Sequence, residues 1–375
     1  MPIMNTNGAG SAVSRELLEK FPNIEASKPL APLNTMHIGG PADLYYKLTN
    51  IDELPELLQE AHKLQIPYFI LGGGSNTVFA DEGFRGLVIH LQAKNIALEP
   101  VATGEQPDST FANPQSVPGH SQGSPKSSLP NPVSQILSPK SHLLTAESGA
   151  SLSQVIQFAL KNNLIGMEKL MGIPGTIGGA VRGNAGAFGV EIKDLFQKAL
   201  IYSPKTVDID AQNRLPQAIR EVDSQYLDFS YRNSKIKKSS EIILKVYFKL
   251  HSADSETIKK AMDETADILK NRVSKQPKGY STGSIFKNPG GSPSDPTGQD
   301  PKLKAGYLLE QVGAKGLQVG QIKVSDQHAN WFLNLGGGTQ KDLIQLCGIL
   351  KAKVKERFNV DLEPEIQLVS AENAV

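Results

Sequence analysis

The sequence predicts an α+β fold of two or three domains, and three observations carry that prediction. Short apolar runs of strand length alternate with amphipathic stretches of helical period along most of the chain. At 375 residues the chain is too long for one small domain and can enclose a buried cofactor. Two stretches poor in apolar residues, Pro100–Lys140 and Pro289–Lys302, interrupt the alternation.

Two strand-like runs, "GLVIHL" (Gly86–Leu91) and "HLLTAESG" (His142–Gly149), flank the first of these stretches. Between them, Pro100–Lys140 is rich in Pro, Ser, Gln and Gly, so it buries too little to offset its ordering entropy and is expected to be a disordered insertion. Residues 289–302, "PGGSPSDPTGQDPK", read as a mobile surface loop. "DELPELLQEAHKLQ" predicts a helix over 52–65, with Asp52 as its cap and Pro55 in the first turn, where a missing N–H costs little. "SLSQVIQFALKNNL" predicts another, capped by Ser151, with Leu152, Val155, Ile156 and Ala159 as its buried stripe. "ETIKKAMDETADILKNRV" and "KDLIQLCGILKAKVKERF" predict amphipathic helices with solvated lysine faces.

Hydrophobic residues make up 39% and charged residues 21%, a globular balance, and the net charge of +1 provides no field to gather a polyanion. Neither nucleic acid nor membrane is an expected partner. The opening "MPIMNTNGAGSAVSRELLEKF" has no basic stretch leading into a long apolar run, so no signal peptide is expected and the cytoplasm is the expected compartment. The single cysteine, Cys347, shares a helical face with Leu343, Leu346 and Leu350 and is expected to pack in a core.

Three glycine clusters stand out. In "ILGGGSNTVF" the triplet Gly72, Gly73 and Gly74 follows an apolar run and precedes Ser75 and Asn76. Such a segment suits either an ordinary hairpin turn or a concave nest of N–H groups that holds an anion. The order G-x-G-x-x-G opening a helix is missing, as is a Walker lysine. "MGIPGTIGGAVRGNAGAFG" (Met171–Gly189) holds seven glycines and one charge, Arg182, which fits a short helix packed on a sheet or an extended cofactor gripped by backbone. In the third, "NLGGGTQKDL", Thr339 followed by Asp342 is a capping pattern, so Gly336–Gly338 read as a helix entry.

The segments "NTMHIGGPAD", "LGGGSN", "GIPGTIGGAVRGNAGAFG", "DFSYRNS", "STGSIFKNP", "AGYLLEQVGAKGLQVGQIKVSDQHANWFLN" and "LEPEI" occur in an order that resembles the UDP-N-acetylenolpyruvoylglucosamine reductase family. The resemblance runs from about Leu30 to Val369, apart from the two low-complexity stretches. It implies a two-part FAD-binding region of the vanillyl-alcohol-oxidase (PCMH) type over 31–253, after an N-terminal segment at 1–30, and a smaller C-terminal α/β substrate domain over 254–375. The short interval between "YRNS" and "STGSIF" resembles the subtype without an extra substrate-capping loop. The implied activity is FAD-dependent reduction, by NADPH, of UDP-N-acetylglucosamine enolpyruvate to UDP-N-acetylmuramate for peptidoglycan precursors, by a monomer with no metal. Another flavin oxidase on this scaffold, or a non-catalytic UDP-sugar-binding protein, are the alternatives.

By the same resemblance, FAD lies against Gly72, Gly73, Gly74, Ser75, Asn76, Pro174, Gly175, Thr176, Gly178, Gly179 and Asn184, and Lys275 and Asn288 contact substrate or nicotinamide. Hydride delivered to the terminal carbon of the enolpyruvyl double bond leaves carbanion character next to a carboxylate, and a site must stabilise and then protonate it. Arg232 offers a permanent cation with a planar donor fork. Ser284 matches the family's proton donor, and Glu365 its active-site acid, useful only if protonated or tied to a cation. Glu363 is expected in a salt bridge or in solvent, and His328 is not placed in catalysis. Met36, His37 and Gly183 depart from the residues common in the family.

Overall fold

A computed structural model describes residues 16–99, 141–204, 218–289 and 300–371. The insertion expected at 100–140 lies outside the described residues, as do positions 290–299 of the loop expected at 289–302.

The first sheet is built round the strand Phe84–Leu91, whose run of Leu, Val and Ile is buried on both faces, the signature of a parallel centre. It runs parallel to Pro41–Leu48 on one side and Tyr68–Leu71 on the other, with Glu25–Pro29 antiparallel at the edge. The crossover helix Leu54–Lys63 buries Leu54, Leu57, Leu58 and Ala61. Pro55 sits in its first turn as expected, but Asp52 is not the cap. A short 3-10 turn, Ile51–Glu53, precedes the helix, and the Asn50 side chain accepts from the Asp52 N–H at 3.2 Å.

A second, antiparallel sheet has the order Ile219–Asp223, Phe196–Tyr202, Ile242–Ser252, Ser141–Glu147, Ile96–Leu98. Against it lies the helix Leu152–Lys161, entered through Ser151 in a reciprocal cap with Gln154, and the expected stripe of Leu152, Val155, Ile156 and Ala159 is buried. The long helix Ser255–Lys275 sends Ala261 and Ile268 into this same core. Ala261 and Ile268 thus find their apolar partners among residues before 253.

The C-terminal part combines a small antiparallel sheet, Gln318–Val319, Ile322–Val324 and Phe332–Asn334, with helices Ala305–Gln311 and Gln340–Phe358. Thr339 and Asp342 form the expected capping box, and Leu343, Leu346, Cys347 and Leu350 are all buried. Met36, Ile38 and Val78 belong to this core as well. The departure at Met36 is thereby explained: it is a fully buried core residue, and the next side chain, His37, stacks on Tyr280 with ring centroids 3.9 Å apart.

Polar contacts lace the C-terminal part to the first. Asn334 Nδ2 donates to the Met36 carbonyl at 2.9 Å, and buried Gln340 Nε2 donates to the Val78 carbonyl at 2.9 Å. The strand Gln367–Val369 runs parallel to Thr77–Phe79, which follows the glycine triplet directly. This pairing brings the "LEPEI" segment to the edge of the triplet.

Candidate active site

The two glycine clusters pack on each other. A Cβ at Gly74, where φ is +63°, would collide with the Leu33 carbonyl, and a Cβ at Gly73 would lie 3.1 Å from the Gly175 Cα. What approaches the triplet is thus first of all other main chain, and the paired clusters form one wall of a cavity of about 670 Å3. That volume lies within the roughly 300–1,000 Å3 of small-molecule and cofactor sites. Among the described residues the N–H groups of Gly73, Gly74 and Ser75 donate to no protein acceptor.

Of the residues expected to hold the cofactor, Gly72 to Asn76, Pro174, Gly175, Thr176, Gly178 and Gly179 line this cavity. Asn184 does not: it is fully buried, donates to Glu191 Oε2 and the Ser230 carbonyl at 3.0 Å each, and accepts from the Lys193 N–H at 3.1 Å. Its carboxamide is used inside the fold.

Arg232, Ser284 and Glu365 come from three separate stretches and all line the cavity. Arg232 adopts a left-handed backbone, φ +54°, unusual for a side chain of its size. Two contacts hold it: Nη2 donates to the Gly186 carbonyl at 3.2 Å, and Lys237 Nζ donates to the Arg232 carbonyl at 3.0 Å. Its Nε stands 3.1 Å from Glu365 Oε1, so Glu365 is tied to a cation. Burial pushes the Glu365 carboxyl above its ordinary range, while Arg232, Lys237 and Lys287 pull it back. The Lys237 ammonium is held below its ordinary value by burial first, then by Lys287 and Arg182.

Ser284 is positioned by its neighbours in the chain. Ile285 N–H donates to the Asn330 carbonyl at 3.0 Å, and the Asn330 side chain exchanges two bonds with Phe286, of 2.9 and 2.8 Å. Asn330 is 3% exposed, so this clamp is dry. Its own N–H donates to His328 Nδ1 at 3.1 Å, which gives His328 a structural partner; burial first, then Lys315, lowers the His328 pKa. Glu363 pairs with Lys287 at 2.5 Å, as expected.

Lys275 and Asn288 are not among the cavity's lining residues. The Asn288 carboxamide oxygen accepts from the Ala305 N–H at 3.1 Å, the start of the next helix. Lys237, Arg272 and Trp331 line the cavity without having been singled out by sequence reasoning, and only the spacing of Lys237 five residues after Arg232 offered any signal.

The cavity suits a large polar cofactor on an independent ground. The buried Thr35 Oγ1, Thr282 Oγ1, Trp331 Nε1 and Arg272 Nε have no hydrogen-bond partner among the described residues, and all four side chains border it. Unpartnered buried polar atoms are rare, and four round one space mark a ligand's donors and acceptors.

An antiparallel sheet with glycine-rich walls, a polar cavity and a separate C-terminal unit define a flavin-binding oxidoreductase of the PCMH type: residues 132–205 match the family model "FAD binding domain". Residues 275–369 match that of the UDP-N-acetylenolpyruvoylglucosamine reductase C-terminal domain. The UDP-N-acetylenolpyruvoylglucosamine reductase of Clostridium botulinum (strain 657 / Type Ba4) is 33% identical over 353 residues, 94% of each chain. That of Caldanaerobacter subterraneus subsp. tengcongensis is 33% identical over 345 residues, 92% of each. The crystal structure of the Thermus caldophilus enzyme matches with a TM-score of 0.61 at 25% identity, covering 92% of this chain and 98% of that one. The chain belongs to the UDP-N-acetylenolpyruvoylglucosamine reductase family.

Proposed function

We propose that this cavity reduces UDP-N-acetylglucosamine enolpyruvate to UDP-N-acetylmuramate, with FAD as cofactor and NADPH as reductant, in a cytoplasmic monomer that serves peptidoglycan precursor synthesis. The observation that carries the proposal is the gathering of Arg232, Ser284 and Glu365 on one cavity walled by both glycine clusters.

Gly72 to Asn76, Pro174, Gly175, Thr176, Gly178 and Gly179 are the residues suited to hold FAD, which when bound takes hydride from NADPH and returns it to substrate. The free N–H groups of Gly73, Gly74 and Ser75 favour its pyrophosphate. Arg232 directs its guanidinium toward the charge that develops on the enolpyruvyl carboxylate, a task its pairing with Glu365 orients. Ser284 gives its hydroxyl proton to the carbon next to that carboxylate. Glu365, neutralised by Arg232 and partly buried, adds little repulsion to the forming enolate. The Asn330 clamp keeps the Ser284 backbone fixed while this happens.

Purified protein should be yellow, and its consumption of NADPH should become catalytic when the enolpyruvyl substrate is added. A colourless protein unable to bind added FAD would overturn the proposal.

A further inference from the structure

Arg182, the single charge between Met171 and Gly189, has no part in the chemistry assigned to Arg232, Ser284 and Glu365. It ends the helix Ile177–Arg182 and lines the same cavity. Its main chain is fixed, since the Arg182 carbonyl accepts from Ser234 Oγ at 2.8 Å. Two more bonds join the same pair of segments: Asn184 Nδ2 to the Ser230 carbonyl at 3.0 Å, and Arg232 Nη2 to the Gly186 carbonyl at 3.2 Å. The two arginines therefore stand on one cross-braced scaffold.

Among the described residues the guanidinium of Arg182 has no protein partner. Among the described residues it makes no ion pair and no hydrogen bond, and the acidic side chains near its scaffold are engaged elsewhere. Glu191 pairs with Lys193 at 2.7 Å, Glu241 with Arg220 at 2.6 Å and Glu365 with Arg232 at 3.1 Å. Burial alone shifts its pKa, downward, with no carboxylate to offset the loss of water. Desolvating a cation without a counter-charge is costly, and a preorganised scaffold that maintains the arrangement implies a ligand supplying the anion.

We propose that Arg182 is a further binding residue of the cavity that takes a delocalised oxyanion of the reacting ligands. Resting on the functional reading above, two groups have that chemistry: the enolpyruvyl carboxylate of the substrate and the negatively charged ring of the reduced cofactor.

The test uses the FAD-loaded full chain and the variants Arg182→Gln and Arg182→Lys. Calorimetry compares the enolpyruvyl substrate with UDP-N-acetylglucosamine, which lacks the carboxylate, and spectroelectrochemistry gives the flavin midpoint potential. If the substrate carboxylate is the partner, R182Q binds the enolpyruvyl substrate about 10- to 100-fold more weakly, as loss of a charge-assisted bond implies, while UDP-N-acetylglucosamine affinity is unchanged. If the reduced cofactor is the partner, both affinities hold and the potential falls. In either case R182K recovers part of the effect, which a purely structural role would not allow. Unchanged affinities and potential in a folded R182Q overturn the inference and leave the functional reading intact. A wild-type chain that binds neither FAD nor substrate overturns that reading instead.

Discussion

The Asn76 side-chain amide donates to the main-chain carbonyl of Glu365 at 3.0 Å, and the Asn76 carbonyl accepts from the Gln367 N–H at 2.9 Å. A residue of the glycine loop thus helps to set the position of Glu365, 289 residues further on. Asn76→Ala should destabilise the protein by about 1 kcal/mol, the net worth of one such bond, and lower turnover because Glu365, still held through its N–H by the Ile285 carbonyl, loses the tie on its own carbonyl. Thermal melts and steady-state rates check this; an unchanged turnover would show that the anchor does not matter to the chemistry.

Ser284→Ala removes the hydroxyl and leaves the Asn330 clamp, which acts through main chain. Reduction of the flavin by NADPH should proceed at the wild-type rate, while transfer to the enolpyruvyl substrate should slow by about 10²- to 10⁴-fold, the span of a lost general acid. Stopped-flow measurement of the two half-reactions separates them. Normal rates in both would remove Ser284 from the proton-donor role.

His90 gives a pH signature that is read in stability. Burial, its largest cause, lowers the ring pKa from 6.5 to about 4, and the ring lies 2.9 Å from Tyr45 Oη and 2.6 Å from Gln92 Nε2. The folded state therefore binds fewer protons than the unfolded state between those values. Stability is fully present above pH 6.5 and is lost as pH falls toward 4. A denaturation series should show this slope in the wild type and a shallower one in His90→Gln; equal slopes would contradict the assignment.

Cys347 is 8% exposed, and burial pushes its thiol up to about 12. The thiolate is the reactive form, so iodoacetamide at pH 8 should leave the folded protein unmodified and alkylate it once it is unfolded in denaturant. Mass spectrometry reads the outcome, and rapid alkylation of the folded chain would refute it.

Local grammar was legible in the sequence. The Ser151 and Thr339 caps, the Cys347 helix face and the glycine loops as cavity wall each follow from a few adjacent residues. Where the reading departs from the structure, the deciding contact is distant. Asn288 reads as a ligand contact within "FKNP", yet its carboxamide caps a helix that begins after the 290–299 interval. Asn184 reads as a cofactor residue, yet its partners are Glu191, Lys193 and Ser230. The helix at 255–275 sends Ala261 and Ile268 against side chains placed by the antiparallel sheet, which no window of sequence displays. Family resemblance supplied Arg232, Ser284 and Glu365; it supplied neither Lys237, which braces Arg232, nor Asn330, which holds the chain next to Ser284.

The parallel pairing of Gln367–Val369 with Thr77–Phe79 has a consequence for how the molecule is made. A ribosome delivers Thr77–Phe79 long before their partner strand, so Val78, fully buried in the C-terminal core of the finished fold, awaits cover until that strand is made. Closing so distant a pair is entropically slow, so this edge is the part of the fold completed only after Gln367–Val369 has been made.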